Sequence, residues 1–188
     1  MRPEGGAGTG KESFMESVNS DRLFQVVCTA THEVFSTMLG LEVTPGQARF
    51  EPTPSGPVDG VISLIGFAGE WVGMGGLSLT PEFACRLSSR LLMTEFTAVD
   101  AEVLDAVAEL TNMILGNVKS SLEEELGAMG LSIPTVVFGK NFTARSTGRG
   151  QWVMVPFTAD GGSVEVRICL APNGRRKPML CPANPVTS

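Results

Sequence analysis

Glu109 and Asn112 stand three residues apart in a run from Asp105 to Gly116, a spacing that sets two side chains next to each other on one face of a helix. A carboxylate beside a carboxamide can hold a cationic partner and orient a water without abstracting a proton, because the amide offers a donor and an acceptor together. Asparagine and glycine are poor helix formers, glycine costing about 1 kcal/mol relative to alanine in a helix interior. Their presence at 112 and 116 therefore asks for a reward from another surface. Gly116, one turn beyond Asn112, removes a side chain where that surface would approach, and Asp105 lies on the same arc.

Other constellations carry less. His32 is the single histidine and falls in an apolar helical pattern, where a core or surface role is expected in place of a catalytic base, so triad hydrolysis has little support. Cys28, Cys85, Cys169 and Cys181 lie far apart with no Cys-x-x-Cys, which points to reduced thiols and to neither a zinc site nor a disulfide framework. Gly5 to Lys11 nearly matches a phosphate-cradling loop, but Glu12 stands where a hydroxyl must reach Mg2+ and no strand precedes it, so the segment is read as a linker. The formal net charge of -6 repels a polyanion, and no nucleic acid partner is expected. The longest apolar run, residues 61 to 69, is about half of what a membrane span needs, and no charged-then-apolar leader follows Met1. The expected setting is the cytoplasm, without a membrane partner.

The elements that must position the pair follow from periodicity and punctuation. With 188 residues the chain has room for one domain, assigned to residues 18–171, while 1–17 and 172–188 read as flexible tails. Apolar residues at 23, 26, 27, 30, 34 and 38 predict a helix over 21–40. Val61 to Phe67 and Trp71 to Leu79 predict a hairpin, Thr80 and Pro81 open a helix to Met93, and Asp100 caps a long helix through Leu126. On that long helix Val103, Val107, Leu110, Ile114, Val118 and Leu122 form a core-facing stripe, with Asp105, Glu109, Asn112, Gly116 and Glu123 opposite. Strands over 135–138, 151–157 and 163–170 complete an α+β domain of two helix-then-strand halves on a largely antiparallel sheet. The last two strands carry few of the prolines or inward charges that blunt an edge, so they predict uncovered edges and a homodimer that covers them. Seventy-six positions before Glu109, Asn112 and Gly116 stand Glu33, Ser36 and Gly40, as in a duplicated half. Serine cannot present an amide's donor and acceptor together, so a single working copy is expected.

The run Glu109 to Asn117, preceded by Asp105-Ala106 and followed by Ile133 to Gly139, resembles the CheC/CheX chemotaxis phosphatases, and within them CheX. The likeness extends to Glu33 to Gly40 and Gly76 to Leu92, covering about residues 21 to 171. It implies a CheC/CheX-like domain of two pseudo-repeated halves with long helices packed on the sheet. It also implies docking on a phosphorylated CheY-like receiver domain of a response regulator and hydrolysis of its aspartyl phosphate. By that resemblance Asn112 positions the attacking water, Glu109 pairs with the receiver's active-site lysine, and Asp105 and Gly116 belong to the docking face. The acyl phosphate and Mg2+ belong to the receiver, so no cofactor or metal of this chain's own is implied; a homodimer through the sheet is. Leu115 departs from the pattern, where a smaller residue is expected, and would narrow the docking surface. Two other readings stand beside this one: a non-catalytic receiver-binding module, and a component related to the flagellar switch proteins.

Overall fold

The structure is a computed structural model, and it describes residues 20–52, 58–142 and 151–174. The glycine-rich near-match at Gly5 to Lys11 and the expected tail over 1–17 lie outside the described residues, as does the expected tail over 172–188 from residue 175 on; its first residue, Pro172, still belongs to a strand.

Helix α1 (Ser20–Val34) buries Leu23, Val26, Val27, Ala30 and Val34. It passes into a π-helical turn, Phe35–Leu39, closed by Gly40 at φ 61°, a left-handed conformation open to glycine at little cost. The helix expected over 21–40 is thus α-helical for only its first fifteen residues. The predicted hairpin is present as β3 (Val58–Gly69) and β4 (Trp71–Leu79), paired antiparallel from Val61↔Leu79 to Phe67↔Gly73. Both predicted caps form. The Thr80 hydroxyl accepts from Phe83 N–H at 3.3 Å to open α2 (Pro81–Leu92), and the Asp100 carboxylate accepts from Val103 N–H at 2.9 Å to open α3 (Ala101–Leu126). Each satisfies a backbone donor that the first helical turn leaves without a partner.

The remaining strands are β1 (Thr44–Pro45), β2 (Arg49–Glu51), β5 (Met129–Leu131), β6 (Thr135–Phe142), β7 (Trp152–Ala159) and β8 (Gly162–Pro172). All lie in one antiparallel sheet of order β1-β7-β8-β4-β3-β5, with β2 also on β7 and β6 also on β3. The leading strands of each half therefore pair with the hairpin of the other half, and β4 against β8 forms the seam. This arrangement corrects the expectation of exposed edges at 151–157 and 163–170. β8 is interior and β7 is covered by β1 and β2, short strands hidden in a stretch whose Pro and Gly read as loop. The true edges are β1/β2 and β5/β6.

The three helices lie on one face of the sheet. The predicted stripe on α3 is buried at every position, and Ala106, Thr111 and Leu115 are buried with it. Leu115 corrects a second expectation: it is fully buried and so cannot narrow any surface on the exposed arc of α3. It fills the space left by Gly75 on β4, where an added Cβ would sit 2.7 Å from Leu115 Cδ1. A smaller residue at 115 would leave a void there. Helices α1 and α3 run antiparallel, tied by an Arg22 to Glu125 hydrogen bond of 2.8 Å at one end and an Asn117 to Glu33 contact of 3.5 Å toward the other. On the opposite sheet face Trp152, Met154 and Cys169 form a second, smaller apolar cluster. Among the described residues, no helix is long and apolar enough to cross a membrane.

Candidate functional site

Asp105, Glu109 and Asn112 emerge along one side of α3 as exposed side chains. Their backbone is held from behind by the fully buried Val107, Leu110 and Ile114, so the helix cannot rotate them away without exposing core. Buried Thr111 donates its hydroxyl back to Val107 C=O at 2.7 Å, so its polar group is satisfied within the core. The three exposed side chains, together with Ala108, form one wall of a groove of about 280 Å³; Leu131, Ser132, Ile133 and Pro134 form the other. Among the described residues, no hydrogen bond or ion pair is made by the side chains of Asp105, Glu109 or Asn112. A carboxylate and a carboxamide left uncommitted beside each other are available to an incoming group.

Gly116 lies outside the groove lining, and a Cβ added there would meet nothing within 4 Å. The position is open space, as a docking face requires. Glu123 keeps its place on the arc, but its carboxylate is committed within the fold. Its carboxylate takes a 2.9 Å hydrogen bond from Lys119 and a 3.1 Å bond from Met129 N–H, and these donors hold its carboxyl below the usual carboxylate range. Glu123 thus ties the end of α3 to β5 and so helps fix the second wall of the groove. That second wall is what sequence reasoning missed as part of the site. Its signal was Pro134, because proline in a strand region marks an edge or a bulge.

A second groove, of about 370 Å³, is lined by Cys28, Thr29, His32, Glu33, Val43, Pro45 and Phe157. Thr29, His32 and Glu33 are the positions that correspond to Asp105, Ala108 and Glu109 in the duplication, so the two halves place equivalent helix faces in equivalent grooves. Ser36 does not line its groove, whereas Asn112 does. The Ser36 hydroxyl instead donates to Glu33 C=O at 3.2 Å. His32 is an exposed surface residue facing Glu42 across 3.1 Å. Burial pushes the Cys28, Cys85 and Cys169 thiols up, with Asp100 and Glu82 adding to the effect at Cys85, so none of the three is an activated nucleophile. Among the described residues, no group of His, Cys, Asp and Glu side chains is placed to hold a metal ion.

A family model described as chemotaxis phosphatase CheX matches residues 61–158, just over half of the chain. Among solved structures, the chemotaxis protein CheX from Vibrio vulnificus is 27% identical with a TM-score of 0.71, covering 79% of this chain and 99% of that one. CheX from Desulfovibrio desulfuricans is 26% identical at TM-score 0.69, with 79% and 99% coverage. The CheX–CheY–BeF3–Mg2+ complex from Borrelia burgdorferi contains a chain 26% identical at TM-score 0.67, with 79% and 97% coverage. No curated protein matches the chain.

Proposed function

The chain belongs to the CheX family of chemotaxis phosphatases, and from that premise we propose that it removes the aspartyl phosphate from a CheY-like receiver domain in the cytoplasm. The observation that carries the reading is the groove on α3, where the Glu109 and Asn112 side chains stand exposed and, among the described residues, without hydrogen-bond partners. A CheX relative of the same fold occurs in complex with CheY, BeF3 and Mg2+, which supports a receiver domain as the partner here.

In this reading Glu109 engages the receiver's active-site lysine and draws the two surfaces into register. Asn112 enters the receiver's site, its carbonyl accepting from the attacking water and its NH2 fixing the amide's orientation. Water oxygen bonds to phosphorus, the bond from phosphorus to the aspartyl oxygen breaks, and the carboxylate leaves as inorganic phosphate forms. Phosphoryl transfer gains most from alignment and charge stabilisation, so a positioned amide is a sufficient contribution from this chain. The Mg2+ stands on the receiver, where it offsets charge on the phosphoryl oxygens. Asp105 and Gly116 flank the pair as docking positions, one polar and one without a side chain.

The test is the rate of phosphate loss from CheY-like receivers charged with acetyl phosphate and Mg2+, with and without the protein. Acceleration of at least one receiver is expected; no acceleration across a broad panel refutes the proposal. We also propose a homodimer, now through the β6 edge, where Val137 is 40% and Phe138 48% exposed. Pairing would cover unpaired backbone groups and both side chains at once. Light scattering at micromolar concentration should return twice the 19.9 kDa chain mass, and a monomer mass refutes it.

A further inference from the structure

The second wall of the groove has a construction of its own. Leu131 on β5 faces Phe67 of β3, and pairing resumes at Thr135 of β6 opposite Leu64. Between them Ser132 keeps the ladder going: its N–H donates to Gly66 C=O at 2.9 Å, and its hydroxyl accepts from Gly66 N–H at 2.8 Å. Ile133 and Pro134 are therefore two residues opposite the single residue Ile65. β5 and β6 are one edge strand interrupted by a β-bulge, a device that re-aims a side chain. Pro134 brings no N–H to the ladder, and the Ser132 hydroxyl also contacts Ile133 C=O at 3.1 Å, which pins the bulge.

The side chain so aimed is Ile133, 89% exposed and lining the groove with Glu109 and Asn112. A lone exposed apolar residue is ordinary on a protein surface. Here, however, the backbone is clamped on both sides of it and it stands across from the two groups proposed to act. The other half supplies a comparison. Between β1 and β2, Pro45 faces Phe157, Gly46 N–H reaches Pro156 C=O and Arg49 faces Met154, so that edge too carries one extra residue. Its interruption holds Gly46, Gln47 and Ala48, with no large apolar side chain. The half with the asparagine has the isoleucine; the half with the serine has neither.

Resting on the phosphatase reading, we propose that Ile133 is a docking and specificity residue: it seats in an apolar depression beside the receiver's phosphorylation site and selects receivers that offer one. Being held by the bulge, it requires little ordering on contact, so most of its burial adds to affinity. It touches no reacting atom.

The experiment compares wild type, Ile133→Ala and Ile133→Leu on one CheY-like receiver, by steady-state dephosphorylation and by binding of the same receiver activated with BeF3 and Mg2+. Ile133→Ala is expected to raise KM and weaken binding on the order of tenfold, with kcat within about twofold of wild type. Ile133→Leu should recover most of the affinity. An unchanged KM and unchanged binding in Ile133→Ala overturns the proposal, and so does a loss confined to kcat. If wild type binds the activated receiver but accelerates nothing, the phosphatase reading fails while the docking role is still decided by the binding comparison. If wild type neither binds nor hydrolyses, both fall.

Discussion

Replacing Asn112 by alanine separates catalysis from folding. The side chain is exposed and bonded to nothing in the described residues, while the adjacent Thr111 and Leu110 carry the packing. No buried contact is lost, and alanine has the better helix propensity by about half a kcal/mol. The variant should therefore melt about 1–2 °C higher than wild type, since for a chain of this size about 1 kcal/mol moves Tm by 2–4 °C. Activity should move the other way. If the amide positions the attacking water in the transition state, its removal should cost about 10² to 10³ in kcat, or about 2.7–4 kcal/mol, as for loss of one preorganised hydrogen-bonding group. The assay pairs a thermal melt with dephosphorylation of a charged receiver at saturating concentration. A variant that folds and retains near wild-type kcat refutes the role of the amide. A variant that loses both activity and several degrees of Tm refutes the premise that Asn112 is outside the core.

Glu109→Ala should raise KM for the phosphorylated receiver by about tenfold, a partial loss that high receiver concentration restores, because the carboxylate is assigned to binding a lysine and not to the chemistry; kinetics that show full activity at low receiver concentration count against this. Gly75→Ala should destabilise the fold by about 1–3 kcal/mol through overpacking, since the new Cβ meets Leu115 Cδ1 at 2.7 Å and Phe67 Cε2 at 3.1 Å. Adding Leu115→Ala should then cost less than in the Gly75 background, and a denaturant double-mutant cycle showing simple additivity would remove the claimed coupling.

Local chemistry made much of the fold readable. Thr80 and Asp100 occupy N-caps because a short oxygen-bearing side chain can reach a helix's orphan N–H groups, and the α3 stripe is buried because its period matches the helix. What escaped reading depends on partners distant in sequence. β1 is two residues and β5 three, too short for alternation to show, and each gains its place by pairing across halves. The mistaken edges followed directly, because only β1 and β2 reveal that β7 is covered. Leu115 was misplaced for a related reason: its neighbour is Gly75, and an absent side chain on another strand leaves no mark in the helix pattern. On the far sheet face Arg167 is only 5% exposed, pulled down from the usual guanidinium range by burial despite Glu165 beside it. A charge in the middle of a strand would ordinarily be read as solvent-facing. For the site, residues on one helix were legible since spacing alone sets them together; the wall from Leu131 to Pro134 was not, since it meets α3 only through the sheet.

The two halves offer an argument for why one groove is proposed to work and the other is not, and it does not rest on the serine alone. Over α3 the helix continues ten residues past Gly116, so Asn112 lies in regular α geometry above Glu109. In the first half the α-helix stops at Val34, and residues 35–39 form a π turn ended by Gly40. The wider i→i+5 pattern inserts a residue into the turn, so position 36 no longer stands over position 33. Ser36 accordingly bonds its own backbone and is absent from the groove that Glu33 still lines. Glu33 meanwhile has a long 3.5 Å contact from the Asn117 amide of α3, whereas the Glu109 carboxylate has no such neighbour among the described residues. An asparagine placed at 36 would be carried on a turn that points it elsewhere, and a displacement of about 1 Å at a reacting centre can cost on the order of 10² in rate. The single-centre proposal thus rests on the backbone of the first half as well as on its serine. Gly40 and Gly116, although aligned in the duplication, serve different ends: the first terminates a helix at φ 61°, and the second leaves an open surface on a helix that continues.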